Sequence, residues 1–95
     1  MSYYAYLGTI VKPKFKSTGL SEKHSIGRIV GKDFTLDGAR YTIVFVNSKT
    51  GHKDIINGLP RRSFSVYQDQ IIMSLRYAKI IDQINEIQYD DRHII

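Results

Sequence analysis

Three lysines, Lys12, Lys14 and Lys16, alternate with Pro13 and Phe15. Successive side chains of an extended chain point to opposite faces, so the three ammonium groups project from one side and Phe15 from the other. Such a row suits the repeated charge of a phosphate backbone, where neutralising several phosphates releases their condensed counterions. More cations stand elsewhere along the chain. Arg61-Arg62 follows Pro60, Arg28, Lys32 and Arg40 flank apolar runs, and Lys49, His52 and Lys53 surround Thr50-Gly51. Aromatic side chains beside such clusters, with Tyr4, Tyr6, Phe15 and Tyr67 as candidates, would offer unpaired bases a surface to stack on. The candidate nucleic-acid contacts are therefore Lys12, Lys14, Phe15, Lys16, Arg28, Lys32, Arg40, Lys49, Lys53, Arg61 and Arg62. The competing structural reading makes the loop cations ordinary solvated charge and Tyr4 and Tyr6 half-buried strand residues. Phe34, Tyr41, Phe45 and Phe64 are assigned to the core.

The residues that catalysis requires do not assemble in the same way. His24, His52 and His93 lie in three separate segments, without a second histidine at metal-ligand spacing. Asp90, Asp91 and His93 form a tail cluster that reads as solvated charge, and no metal or cofactor is expected. Gly27 to Gly31 holds too few glycines for a phosphate loop and lacks the Lys-Ser/Thr that follows one. Ser63 and Ser65 have no base or glycine elbow beside them. No thiol chemistry is open to a chain without cysteine. The expectation is a protein that is not an enzyme.

The charge is unevenly placed. Residues 1–67 carry seven Lys and four Arg against four acidic side chains, a net of +7, whereas residues 68–95 carry a net of −2. A basic body with a mildly acidic C-terminal element points to a polyanionic partner. Ninety-five residues make one domain with a small core, too small to house a deep cleft easily. At 42% hydrophobic and 24% charged the composition is globular rather than disordered. The apolar runs are too short to cross a membrane, and Met1-Ser2-Tyr3-Tyr4 does not resemble a secretory leader, so a cytoplasmic location is expected.

The elements that must position these side chains are short. Tyr3 to Val11 reads as a first strand, ended by Lys12-Pro13-Lys14, and Lys14 to Ser25 as a polar connection. Ile26 to Gly31 is a second strand. Asp37-Gly38 turns into Arg40 to Val46, apolar on both faces like a central strand. His52 to Ile56 is a fourth strand, Asn57 to Pro60 a turn, and Ser63 to Tyr67 a fifth strand. After Tyr67 the period changes to the helical spacing of Met73, Tyr77, Ile80, Ile84 and Ile87. One helix over about 69–88, capped by Asp69, is expected, with the chain dividing into a basic barrel (1–67) and a C-terminal helix and tail (68–95). Its apolar stripe packs on the domain itself or, in the alternative, forms a homodimer through Met73, Tyr77, Ile80, Ile84 and Ile87.

The segments IVKPKF, SIGRIVG, YTIVFVNSKTG, KDIINGLP and SFSVY together resemble a small SH3-like barrel of the KOW/Tudor type over residues 10–67, 58 of the 95. Gly27 and Gly31 fit its glycine rhythm, while the long polar loop before them departs from it. The resemblance implies a mainly β fold, a five-stranded SH3-like barrel followed by a C-terminal α-helix, with nucleic-acid binding or protein docking on the barrel loops. Two functions follow. The first is a small basic nucleic-acid-binding protein, for DNA or RNA, which grips the phosphate backbone with little sequence readout and acts as a regulator. The alternative is a protein-interaction module docking on an acidic partner surface, as a phage- or plasmid-encoded inhibitor of a host enzyme would.

Overall fold

The computed structural model describes residues 5–14 and 24–86. Five strands, β1 (Ile10–Pro13), β2 (Ser25–Thr35), β3 (Gly38–Asn47), β4 (Lys53–Pro60) and β5 (Phe64–Val66), are followed by two helices, α1 (Gln70–Arg76) and α2 (Ala78–Glu86). The strands form one antiparallel sheet in the order β4-β3-β2-β1-β5, with no ladder joining β4 to β5. The chain is thus mainly β, as its alternating apolar runs predict.

One face of the sheet buries Val11, Ile29, Tyr41, Ile43, Phe45 and Phe64. Its closest packing is at Gly27, which lies opposite Phe45 in the β2–β3 register. A Cβ at Gly27 would stand 2.6 Å from the Phe45 ring and 2.9 Å from the Ile43 side chain. The ring fills the space a side chain would need, which is the usual reason for glycine inside a strand. Although β3 and β5 are far apart in the strand order, the rings of Tyr41 and Phe64 meet edge to face with centroids 5.1 Å apart. The inner side chains therefore converge from both ends of the sheet.

The other face is covered by the helices. Met73 packs with Ile10 and Ile26, and Ile84 with Val44 and Val46, while Ile80 touches both groups. The predicted stripe Met73, Tyr77, Ile80 and Ile84 thus packs on the domain's own sheet, and Ile87 lies outside the described residues. Helix capping follows expectation, with the Asp69 carboxylate accepting the Ile72 N–H at 2.9 Å.

Several boundaries differ from the pattern reading. The single helix is two, broken at Tyr77 (φ −113°, ψ 31°), whose N–H caps α1 on the Met73 carbonyl. The break carries α1 onto β1 and turns α2 onto β2 and β3. Residues 5–9 are not a strand but run beside β2, where Gly8 N–H donates to the Ile29 carbonyl and Ile29 N–H to that of Thr9. Pro13 does end the first strand, as its last residue. Backbone groups alternate sides along a strand, so its missing N–H falls on the β2 side, past the last β1–β2 pair at Val11–Gly27. Asn57-Gly58 is a bulge inside β4, not a turn. Tyr41 and Ile43 pair with Leu59 and Ile56, leaving one extra residue on β4 and Gly58 at φ +71°.

The junction between sheet and helices is held by a side chain. The Gln70 amide accepts the Ile10 N–H at 2.6 Å and donates to the Ile10 and Tyr67 carbonyls at 2.9 and 2.7 Å. It extends the β1–β5 ladder past the end of β5.

Two outcomes are expected from this packing. Gly27→Ala should lower stability by about 1–3 kcal/mol through overpacking, read as a lower urea midpoint with unchanged slope. Tyr67, beside Met73 and Tyr77, has its phenol pushed above the ordinary value by burial and then by repulsion from Tyr77. The folded state holds that proton more tightly, so stability is full below about pH 10 and is lost as pH rises through the elevated value. Tyr67→Phe should retain more of its neutral-pH urea midpoint at high pH than the parent protein does.

Candidate nucleic-acid interface

The short 3₁₀ turn Arg61–Ser63 joins β4 to β5 and is the hub of the basic surface. Arg61 donates through Nη1 to the Phe64 carbonyl at 2.9 Å, and its guanidinium lies 5.0 Å from the Phe64 ring centre. Phe64 meets Tyr41, and the Lys32 ammonium stands 5.5 Å from the Tyr41 ring centre and 5.3 Å from that of Phe34. A cation over a ring face is attracted by the ring quadrupole, so the aromatic pair holds a positive group at each side. Lys14 joins from just past the end of β1, its N–H donating to the Ser63 carbonyl at 2.9 Å. Arg40 lies on β3, directly across from Pro60 on β4 and from Asp33 on β2. Arg62 is exposed on the turn itself. Four predicted residues, Lys14, Lys32, Arg61 and Arg62, are therefore linked through one turn and one aromatic pair, while Arg40, next to Tyr41 on β3, leaves the opposite face together with Asp33.

The alternation predicted for the first strand holds where it is described. Lys12 and Lys14 are exposed, and Pro13 between them is buried. Phe15 and Lys16 lie outside the described residues. Lys49 and Lys53 sit at the β3–β4 turn, the opposite end of β3 from Arg40, roughly 25 Å away along the strand. That turn is organised by Asn47, whose side-chain oxygen accepts the N–H groups of Lys49 and Thr50 at 2.9 and 3.1 Å.

Arg28 is placed differently again. It sits on the helix-bearing face, where Nε donates to the Gly8 carbonyl at 3.2 Å and Nη1 to Asn85 Oδ1 at 2.6 Å. It lines a cleft of about 300 Å³ with Gly8, Val30 and Asn85. The guanidinium ties residues 5–9 to α2, a structural task that its position beside an apolar run does not advertise.

Phe34, assigned to the core from its type, is 74% exposed, and its neighbour Leu36 is fully exposed at the hairpin tip. β2 continues to Thr35, beyond the part of the sheet that has covering elements, so the pattern of an apolar residue near a strand misleads there. The signal available was Leu36 within the two-residue turn, where a large apolar side chain has nowhere to pack.

Among the described residues, no group of three or more His, Cys, Asp or Glu side chains stands close enough to hold a metal ion. No helix there is long and apolar enough to cross a membrane.

Replacing Arg28 by Ala should lower stability by about 1 kcal/mol, read as a lower urea midpoint, because Asn85 and the Gly8 carbonyl lose a shared charged donor at a site partly open to solvent. Arg28→Lys should recover only part of the loss, since a lysine cannot reproduce the guanidinium fork. Searches with this chain against protein-family models, curated proteins and solved structures found no match.

Proposed function

We propose that the chain is a small non-enzymatic nucleic-acid-binding protein of the SH3-like barrel type, which grips the phosphate backbone through the surface around the Arg61–Ser63 turn. The observation that carries this reading is the cationic cluster itself. Lys32 and Arg61 flank the Tyr41–Phe64 pair, and Lys14 and Arg62 stand at the adjoining turn. Supporting the barrel are the antiparallel order β4-β3-β2-β1-β5, the 3₁₀ turn before β5 and the contact of Tyr41 with Phe64 across the open edge. Cations on several elements match a charged backbone in any base sequence, so the contacts position the ligand and specify little. Acting on DNA or RNA in the cytoplasm, such a protein would serve as a regulator by occupancy alone.

A second reading is favoured by α1. Ile71, Ile72 and Leu75 are exposed on the helix surface away from the sheet. They would supply the apolar centre of an interface with an acidic protein partner, the basic surface adding complementary charge.

Fluorescence anisotropy with labelled DNA and RNA at about 50 and 200 mM salt separates the two. Nucleic-acid binding is expected to be micromolar or tighter at the lower salt and to weaken steeply at the higher. Lys14→Glu with Arg62→Glu should weaken it at least tenfold, and Lys49→Glu with Lys53→Glu by less than threefold. Absence of binding at the lower salt overturns the reading and directs attention to α1.

A further inference from the structure

The β2–β3 hairpin ends in two large apolar side chains that stand largely exposed. Phe34 is 74% exposed and Leu36 fully so. They are held on an ordered turn, in which Thr35 Oγ1 donates to the Gly38 carbonyl at 2.9 Å and accepts the Asp37 N–H at 3.2 Å. The Phe34 N–H is itself bound by the Asp33 carboxylate at 2.9 Å. A fixed, exposed aromatic ring beside a cationic cluster combines the two parts of a single-strand binding surface, a charge for the backbone and a ring for the base.

We propose that Phe34 is a stacking platform for an unpaired base of single-stranded nucleic acid, with Leu36 as the apolar edge of that platform. This rests on the phosphate-gripping reading above and names its substrate class. Lys32 and Phe34 are two residues apart on one strand, so both side chains leave the same face, the face that also bears Tyr41. The Lys32 ammonium lies 5.3 Å from the Phe34 ring centre, placing a phosphate-binding charge beside the ring. Single strands are favoured over duplexes by the ring itself, because paired bases stack on one another and leave no free face, whereas an unpaired base can lie on Phe34. Asp33 leaves the opposite face of the hairpin, where it stands directly across from Arg40, so a strand passing along the Lys32–Phe34 face meets the cation and the ring.

The test compares an oligo-dT strand with a duplex of the same length at about 50 mM salt. Phe34→Ala should weaken oligo-dT binding about tenfold and duplex binding by less than threefold, with the urea midpoint nearly unchanged because the ring is mostly exposed. A second variant reads stacking directly. The chain contains no tryptophan, so Phe34→Trp introduces a lone reporter whose emission should be quenched by oligo-dT over the same concentrations that raise the anisotropy. If Phe34→Ala binds oligo-dT as the parent does, or the Phe34→Trp emission stays constant as the complex forms, the platform is overturned while the phosphate grip stands. Equal losses on strand and duplex overturn the single-strand assignment. A parent protein that binds neither overturns the phosphate grip and the platform together.

Discussion

The Phe45 ring lying across Gly27 is the contact on which the rest of this small domain depends. β2 pairs with β1 on one side and β3 on the other, and Gly27 is the point where both partners meet it, through Val11 and Phe45. Removing the side chain there lets the Phe45 ring lie against the backbone, so the inner face packs into a core only a few residues deep. Phe45, Ile43 and Val11 are fully buried as a result. In a chain of 95 residues such packing has few substitutes, because little other apolar surface is available to bury.

Having one densely packed face constrains the other. β3 is apolar on both sides, with Val44 and Val46 opposing Ile43 and Phe45, and those outer valines need a cover. The helices provide it, and the break at Tyr77 lets two short segments follow a surface that one straight helix would leave. With both faces of the central sheet occupied, charged residues are left to its ends, as at the Arg61–Ser63 and Lys49–Lys53 turns, and to the outer surface of the helices, where Arg76, Lys79, Asp82 and Glu86 are exposed.

Much of this was legible because burial writes a period into the residues. The alternation through Tyr41, Ile43 and Phe45 and the helical spacing of Met73, Ile80 and Ile84 are direct consequences of one-sided packing. What was not legible depends on contacts distant in the chain. The Tyr77 break has no glycine or proline to announce it, since it answers the curvature of strands about forty residues earlier. Asn57-Gly58 has the composition of a turn, yet the ladder resumes at Leu59 because Tyr41 is still there to pair with it. Arg28 reads as a surface cation until the loop at Gly8 and the helix at Asn85 are brought to it. The gathering of Lys14 with Arg61 requires the β1–β5 pairing, which joins residues some fifty positions apart. Phe34 fails in the opposite direction, because aromatic type suggests burial and only the length of β2 reveals that the ring stands exposed near the hairpin tip.

The projecting hairpin gives the charge arrangement a direction. A cation over an aromatic ring, as Lys32 is over Tyr41 and Arg61 over Phe64, retains its charge while losing part of its freedom. Both groups are therefore presented in fixed positions, and a ligand that meets them sacrifices less side-chain entropy than it would with freely moving lysines. Lys49 and Lys53 belong instead to a turn whose order comes from its backbone, held around the Asn47 side chain. Two clusters of similar charge thus differ in preorganisation, and the difference originates in the aromatic residues of the core. The same Tyr41–Phe64 pair that draws the ends of the sheet together also holds the cations in place at their rim. Stability and recognition are coupled through it, so a change to either ring would reach the basic surface before it reached the far end of β3.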